Sequence, residues 1–146
     1  MENKKRKLNN GQEIPLIGLG TKIMMDNKEV VYNSIKGGIR LIDTISFSQN
    51  RGIREGIKKA LRVGICKRED LCIIGKVCLQ NKINPENSLI NTLNCLGINY
   101  IDIYLDLWPY VKDYRAKEHI EAAQDAFVPI SIYEFWRKME ALVEKG

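Results

Sequence analysis

Apolar positions along the chain follow two periods, two residues and about 3.6 residues, and these alternate four times. Residues 8–14 hold Asn9-Asn10-Gly11 at their centre and predict a small opening hairpin. Residues 16–21 follow as a short apolar strand carrying Gly18 and Gly20. Val30, Val31, Ser34 and Ile35 then take helical spacing, predicting a helix over 27–36 stopped by Gly37-Gly38. The second repeat is a strand over 39–44 and a helix over about 49–63, with Ile53, Ile57, Ala60 and Leu61 on one face. The third strand, 71–77, is a near-continuous apolar run broken by Lys76. Its helix opens at Pro85 and ends near Gly97. The fourth strand spans 101–107. A long connection over 108–130, holding Tyr110 and Tyr114, leads to a last helix over 133–144.

Strands alternating with helices predict βαβ units around a parallel sheet covered on both faces. Gly18-Leu19-Gly20 does not extend to G-x-G-x-x-G, which weakens a Rossmann reading, but pattern alone leaves a doubly wound sheet open.

The chain has 146 residues, 45% hydrophobic and 28% charged, the balance of one globular domain with a real core. No apolar run is long enough for a membrane span, and the N-terminus lacks the apolar stretch of a signal peptide. A cytoplasmic protein with no membrane partner is expected. Cys66, Cys72, Cys78 and Cys95 form no C-x-x-C pair and only His119 could join them, so metal-site spacing is absent. Cys72 and Cys78 read as reduced core thiols in a reducing compartment. The net charge is +5, and Lys4, Lys5, Arg6 and Lys7 supply most of the excess. Residues 1–7 read as a basic, solvated and frayed arm, with nucleic-acid binding through those four residues as the weaker alternative. Residues 8–146 form the domain.

Three segments are more specific than fold class. Asn9-Asn10-Gly11 with Ile14-Pro15-Leu16-Ile17-Gly18-Leu19-Gly20-Thr21 resembles the opening hairpin and first barrel strand of the aldo-keto reductases. Gly38-Ile39-Arg40-Leu41-Ile42-Asp43-Thr44 resembles their second strand, and Gly97-Ile98-Asn99-Tyr100-Ile101-Asp102-Ile103-Tyr104-Leu105 their fourth. Lys67-Arg68-Glu69-Asp70-Leu71 and the stretch from Trp136 to Gly146 agree, so the resemblance is collinear over 8–146. It implies an α/β fold, half of a (β/α)8 TIM barrel, with four βα units preceded by a small β-hairpin. A whole barrel takes about 250 residues, so an unfinished sheet is expected.

The family's chemistry is NADPH-dependent carbonyl reduction by four residues at the C-terminal ends of the strands. The resemblance places its aspartate at Asp43 and its lysine at Lys76. Its tyrosine falls on Ser48 and its histidine on Leu107. Thr21, Lys22 and Asp43 fall at positions that would touch the cofactor. A tyrosine phenol starts near pKa ~10 and a neighbouring cation can tune it into a proton donor, whereas a serine hydroxyl is shorter and far less acidic. Leucine forms no side-chain hydrogen bond. Losing a positioned proton donor costs ~10²–10⁴ in rate. Lys22 replaces the usual tryptophan, Arg51 the usual glutamate, and Asp106 an apolar residue of the fourth strand. If Leu107 points into the barrel mouth, Asp106 turns toward the helix layer, where a lone carboxylate is costly, so a wetter or differently packed site is expected.

These substitutions point to a pseudoenzyme that serves as a binding or structural module of a larger assembly, not binding NADPH by itself. Its open sheet edges would be covered by another protein or by a second copy. The alternative is an NADPH-dependent oxidoreductase completed by dimerisation or by a separate second half. A decayed fragment is a third reading. Trp108-Pro109 and Trp136 read as core and loop anchors, His119 as an exposed loop residue, and Asp43 with Lys76 as a retained ion pair.

Overall fold

The computed structural model describes residues 4–22, 28–44, 50–78, 81–107 and 130–145. They fall into two compact units, Met1–Gly75 with Thr92–Tyr104 and Lys76–Asn91 with Leu105–Gly146.

The chain opens with a hairpin of β1 (Lys5–Lys7) and β2 (Glu13–Pro15), paired antiparallel with Arg6 opposite Ile14. Lys5, Arg6 and Lys7 are therefore strand residues and not a frayed arm. The sequence gives no apolar alternation there because all three side chains are exposed. The turn is held by Leu8 N–H donating to the Gln12 carbonyl at 2.7 Å and by Gln12 N–H donating to Asn10 Oδ1 at 3.1 Å.

The main sheet has four strands in the order β3 (Gly18–Gly20), β4 (Leu41–Asp43), β5 (Cys72–Val77) and β6 (Ile103–Asp106). β3 pairs parallel with β4, Gly20 opposite Asp43, and β4 with β5, Asp43 opposite Ile74. Asp102 N–H donates to the Ile73 carbonyl at 3.1 Å and Leu107 N–H to the Val77 carbonyl at 3.2 Å, so β6 runs in the same direction. Each crossover is a helix: α1 (Lys28–Lys36), α2 (Asn50–Arg62) and α3 (Pro85–Leu96), with α4 (Ile132–Lys145) following β6.

The helices begin and end where their terminal chemistry dictates. α1 stops at Gly38, whose φ of 102° suits glycine; Gly38 N–H bonds the Ile35 carbonyl and Ile39 N–H the Ser34 carbonyl. Asn84 caps α3 by accepting Asn87 N–H at 3.0 Å ahead of Pro85. Ser131 and Glu134 exchange backbone and side-chain bonds of 3.0 Å each, a capping box that starts α4.

The core of the first unit joins Val31 and Ile35 of α1, Ile42 of β4, Ile53, Ile57 and Ala60 of α2, Ile73 of β5 and Leu96 of α3. A Cβ on Gly56 would stand 2.7 Å from the Lys28 carbonyl oxygen, so α1 and α2 approach closely only because that position is glycine. The second unit buries Val77, Phe135 and Met139. Trp136, expected as an anchor, is 53% exposed, because Phe135 and Met139 define the inward face of α4 and Trp136 falls off it.

Candidate functional site

In β4 the helix-facing residue is Ile42, which leaves Leu41 and Asp43 on the opposite face of the sheet. In β5, Ile73 belongs to the helix-facing core, so Ile74 and Lys76 take the opposite face. Asp43 is half-buried opposite Ile74, and Lys76, also half-buried, lies two residues further along on the Ile74 face. Asp43 belongs to the first compact unit and Lys76 to the second. Tyr104 does not share it: its ring lies 3.3 Å from where a Cβ of Gly75 would be, on the helix-facing side.

Two threonines close the C-terminal ends of β3 and β4. Thr21 donates from N–H at 3.1 Å and from Oγ1 at 2.9 Å to the Asp43 carbonyl. Thr44 repeats this on the Ile74 carbonyl at 2.9 and 2.8 Å. Both are buried. Thr21, expected beside a cofactor, spends its hydroxyl proton on the sheet.

Of the residues assigned to NADPH, Thr21 is buried and proton-committed, Asp43 is a half-buried carboxylate, and Lys22 is exposed. Of the three, Lys22 alone carries the positive charge that would attract a phosphate, and Asp43 carries the opposite sign.

Leu107 is half-buried just beyond β6, its N–H held by the Val77 carbonyl. An aliphatic side chain there neither orients a substrate oxygen nor moves a proton. Ser48, Trp108, Pro109, Tyr110, Tyr114 and His119 lie outside the described residues. Arg51 is an exposed residue of α2.

Asp106 does turn away from solvent, but it is not a lone carboxylate. Lys82 Nζ reaches Asp106 Oδ1 at 2.7 Å and Oδ2 at 2.9 Å, with side-chain exposures of 1% for the lysine and 16% for the aspartate. Phe135 places its ring 4.8 Å from the same ammonium. Of the two expected outcomes, a wetter or a differently packed site, Asp106 shows the second, as part of a buried ion pair. Lys82 escaped sequence reading because a lysine in a polar connection reads as solvated. The only signal was the cost of Asp106 itself.

At the N-terminal ends of β5 and β6, Arg68 donates to Asp102 Oδ2 and to the Tyr100 carbonyl at 2.8 Å each, and to the Leu71 carbonyl at 2.9 Å. Its guanidinium lies 3.9 Å from the Tyr100 ring centre, and Asp102 Oδ2 also accepts Ile73 N–H at 2.8 Å. A cavity of about 340 Å³ opens beside this knot, lined among others by Lys5, Glu13, Asp70 and Tyr100. It lies at the strand ends opposite to Thr21 and Thr44 and mixes charges without focusing either sign.

All four cysteines are free thiols. Burial pushes the Cys72 thiol up to about 11, Asp102 adds to this, and Arg68 opposes it. Burial likewise raises Cys66 and Cys78. Such thiols are poor nucleophiles near neutrality. Among the described residues no group of three or more His, Cys, Asp or Glu side chains is placed to hold a metal ion. No described helix is long and apolar enough to cross a membrane.

Four parallel strands in sequence order, each followed by a helix and preceded together by a capping hairpin, make half of a (β/α)8 barrel. No family model matches the sequence. Individual proteins do. The chain is 35% identical to an aldose reductase of Encephalitozoon cuniculi, over 98% of this chain and 50% of the relative. It is 36% identical to aldose reductase C of Dictyostelium discoideum, over 96% and 48%. A Bombyx mori aldo-keto reductase solved in complex with NADP superposes with a TM-score of 0.86 at 26% identity, over 100% of this chain and 48% of that one. In sequence and fold the chain matches the N-terminal half of the aldo-keto reductases. It spans about half the length of the curated relatives it matches.

Proposed function

We propose that this chain is a catalytically silent half-barrel that serves as a binding module, its uncovered sheet edges and α4 face closed by a second copy or by a protein supplying complementary βα units. Leu107 carries the reading: where the family resemblance calls for a histidine, an aliphatic side chain follows β6. Thr21, with its hydroxyl proton bonded to the Asp43 carbonyl, supports it. Covering is argued from apolar exposure. Ile132, Tyr133, Trp136 and Val143 of α4 are 60, 66, 53 and 82% exposed, and Leu105 of the edge strand β6 is 41% exposed.

One reading competes. Asp43 and Lys76 keep the residue types that the family resemblance calls for, and similar proteins carry the name aldose reductase or were solved with NADP, which favours a reductase completed by a second half. The deciding experiment measures mass in solution and NADPH oxidation with a simple aldehyde on the same preparation. A dimer or a stoichiometric complex that leaves NADPH unconsumed supports the silent module. Aldehyde-dependent NADPH oxidation abolished by Lys76→Ala overturns it, and a clean monomer removes the covering partner.

A further inference from the structure

Helix α2 carries five basic residues against one acid, and the structure divides them. Lys59 is neutralised: its Nζ lies 3.0 Å from both Glu29 oxygens and 4.0 Å from the Tyr32 ring centre. Arg54, Lys58 and Arg62, four residues apart, form another row along the helix. All three are exposed, and among the described residues no carboxylate pairs with them. They border a groove of about 430 Å³ whose apolar surface is Ile57, Leu61, Leu96 and Ile98. The groove ends at the C-terminal turn of α3, where Gly97 has a φ of 66° and the Arg54 side chain lies directly over it. From Arg54 to Arg62 the row is about 12 Å long, just over two helical turns.

We propose that this groove docks an acidic amphipathic segment of a partner protein, its carboxylates on Arg54, Lys58 and Arg62 and its apolar residues against Leu61 and Ile98. The charge row supplies the sign, and the four-residue spacing matches carboxylates repeating along one face of a helix. The aliphatic floor selects protein over nucleic acid. A phosphate backbone gains nothing from Leu61 and Ile98, and no aromatic side chain lines the groove for a base to stack on. The site lies wholly within the first unit and does not depend on the silent-module reading.

The test uses the full chain and a fluorescein-labelled helical peptide of about three turns, with glutamates at every fourth position and leucines on the adjoining row, followed by anisotropy. Saturable binding is expected. Arg54→Glu/Lys58→Glu/Arg62→Glu weakens it by roughly 10-fold or more. The same charge change at Lys4, Arg6 and Lys7 leaves it within about twofold, since those exposed residues lie on the hairpin. Replacing the peptide's leucines with serine abolishes binding. All six substituted residues are exposed, and an unchanged circular dichroism spectrum confirms each variant is folded. The proposal is overturned by absence of binding, by equal loss in the two charge-reversed variants, by a serine peptide that binds as well, or by an oligothymidylate that binds more tightly than the peptide.

Discussion

An aspartate stands at each end of β6, and each is held by a base in a different way. At the N-terminal end, Asp102 and Arg68 keep side-chain exposures of 26 and 16% and are bonded mostly to backbone: the Tyr100 and Leu71 carbonyls and the Ile73 amide. At the C-terminal end, Lys82 Nζ lies within hydrogen-bond reach of both Asp106 oxygens, with the lysine 1% exposed and beside the Phe135 ring. The first pair fastens a 3-10 turn at Arg68–Asp70 to two strands. The second joins two side chains directly, carboxylate to ammonium, in a site sheltered from water. A charge that ties down backbone cannot be traded for a hydrocarbon, whereas a buried pair of side chains often can.

The largest expected effect follows from breaking the buried pair. Lys82→Met leaves Asp106 without its cation in a poorly solvated site and costs about 3–5 kcal/mol in urea denaturation. Lys82→Met/Asp106→Leu returns stability to within about 1 kcal/mol of the parent or above it. At the other end, Arg68→Met costs about 2–4 kcal/mol, and Arg68→Met/Asp102→Leu is not rescued, because the buried Ile73 amide and two carbonyls lose their partners. Equal rescue of both double variants would erase the distinction between the two ends.

That distinction was only half legible in the sequence. Periodicity places α2, α3, α4 and β5 within a few residues because each buries an apolar face. It is blind to β1, whose residues are exposed and charged, and to the turn at Arg68–Asp70, which buries no side chain. Asp43 and Lys76 were reached through family resemblance, since neither position is marked by spacing alone. The misfit of Asp106 was visible as a polar residue in an apolar strand, but its remedy was not. Lys82 lies 24 residues away in a connection, and only the folded chain brings the two together.

A smaller effect probes the Arg68 end by pH. The Cys72 thiol, held protonated mainly by burial and further by Asp102, has its pKa raised from 9.0 to about 11. The unfolded thiol ionises first, so this contribution is whole below pH 9 and drains away as pH rises toward about 11. It amounts to something on the order of 2 kcal/mol. Urea midpoints across that window fall more steeply for the parent than for Cys72→Ala, whose overall stability is lower but flatter. Arg68→Met carries the fall on to higher pH, because the cation that opposes the shift is gone. Parallel slopes in parent and Cys72→Ala would show that the thiol is not coupled to this end of the strand.

The smallest effect comes from strand ends closed without charge. Thr21 and Thr44 each place two donors on one carbonyl of the next strand, and the hydroxyl can be removed with little change of shape. Thr44→Val leaves the Ile74 carbonyl with the amide bond and costs about 1 kcal/mol. Thr21→Val costs a similar amount if its hydroxyl serves only the sheet. Neither change depends on pH between 5 and 9, because neither a hydroxyl nor a methyl group titrates there. The two threonines also divide structure from function. If Thr21→Val weakens NADPH binding in a completed assembly while Thr44→Val does not, the Thr21 oxygen accepts a bond from the cofactor while donating to Asp43, and the silent-module reading fails at that residue. Matched stability losses with no difference in NADPH titration leave both hydroxyls as parts of the sheet.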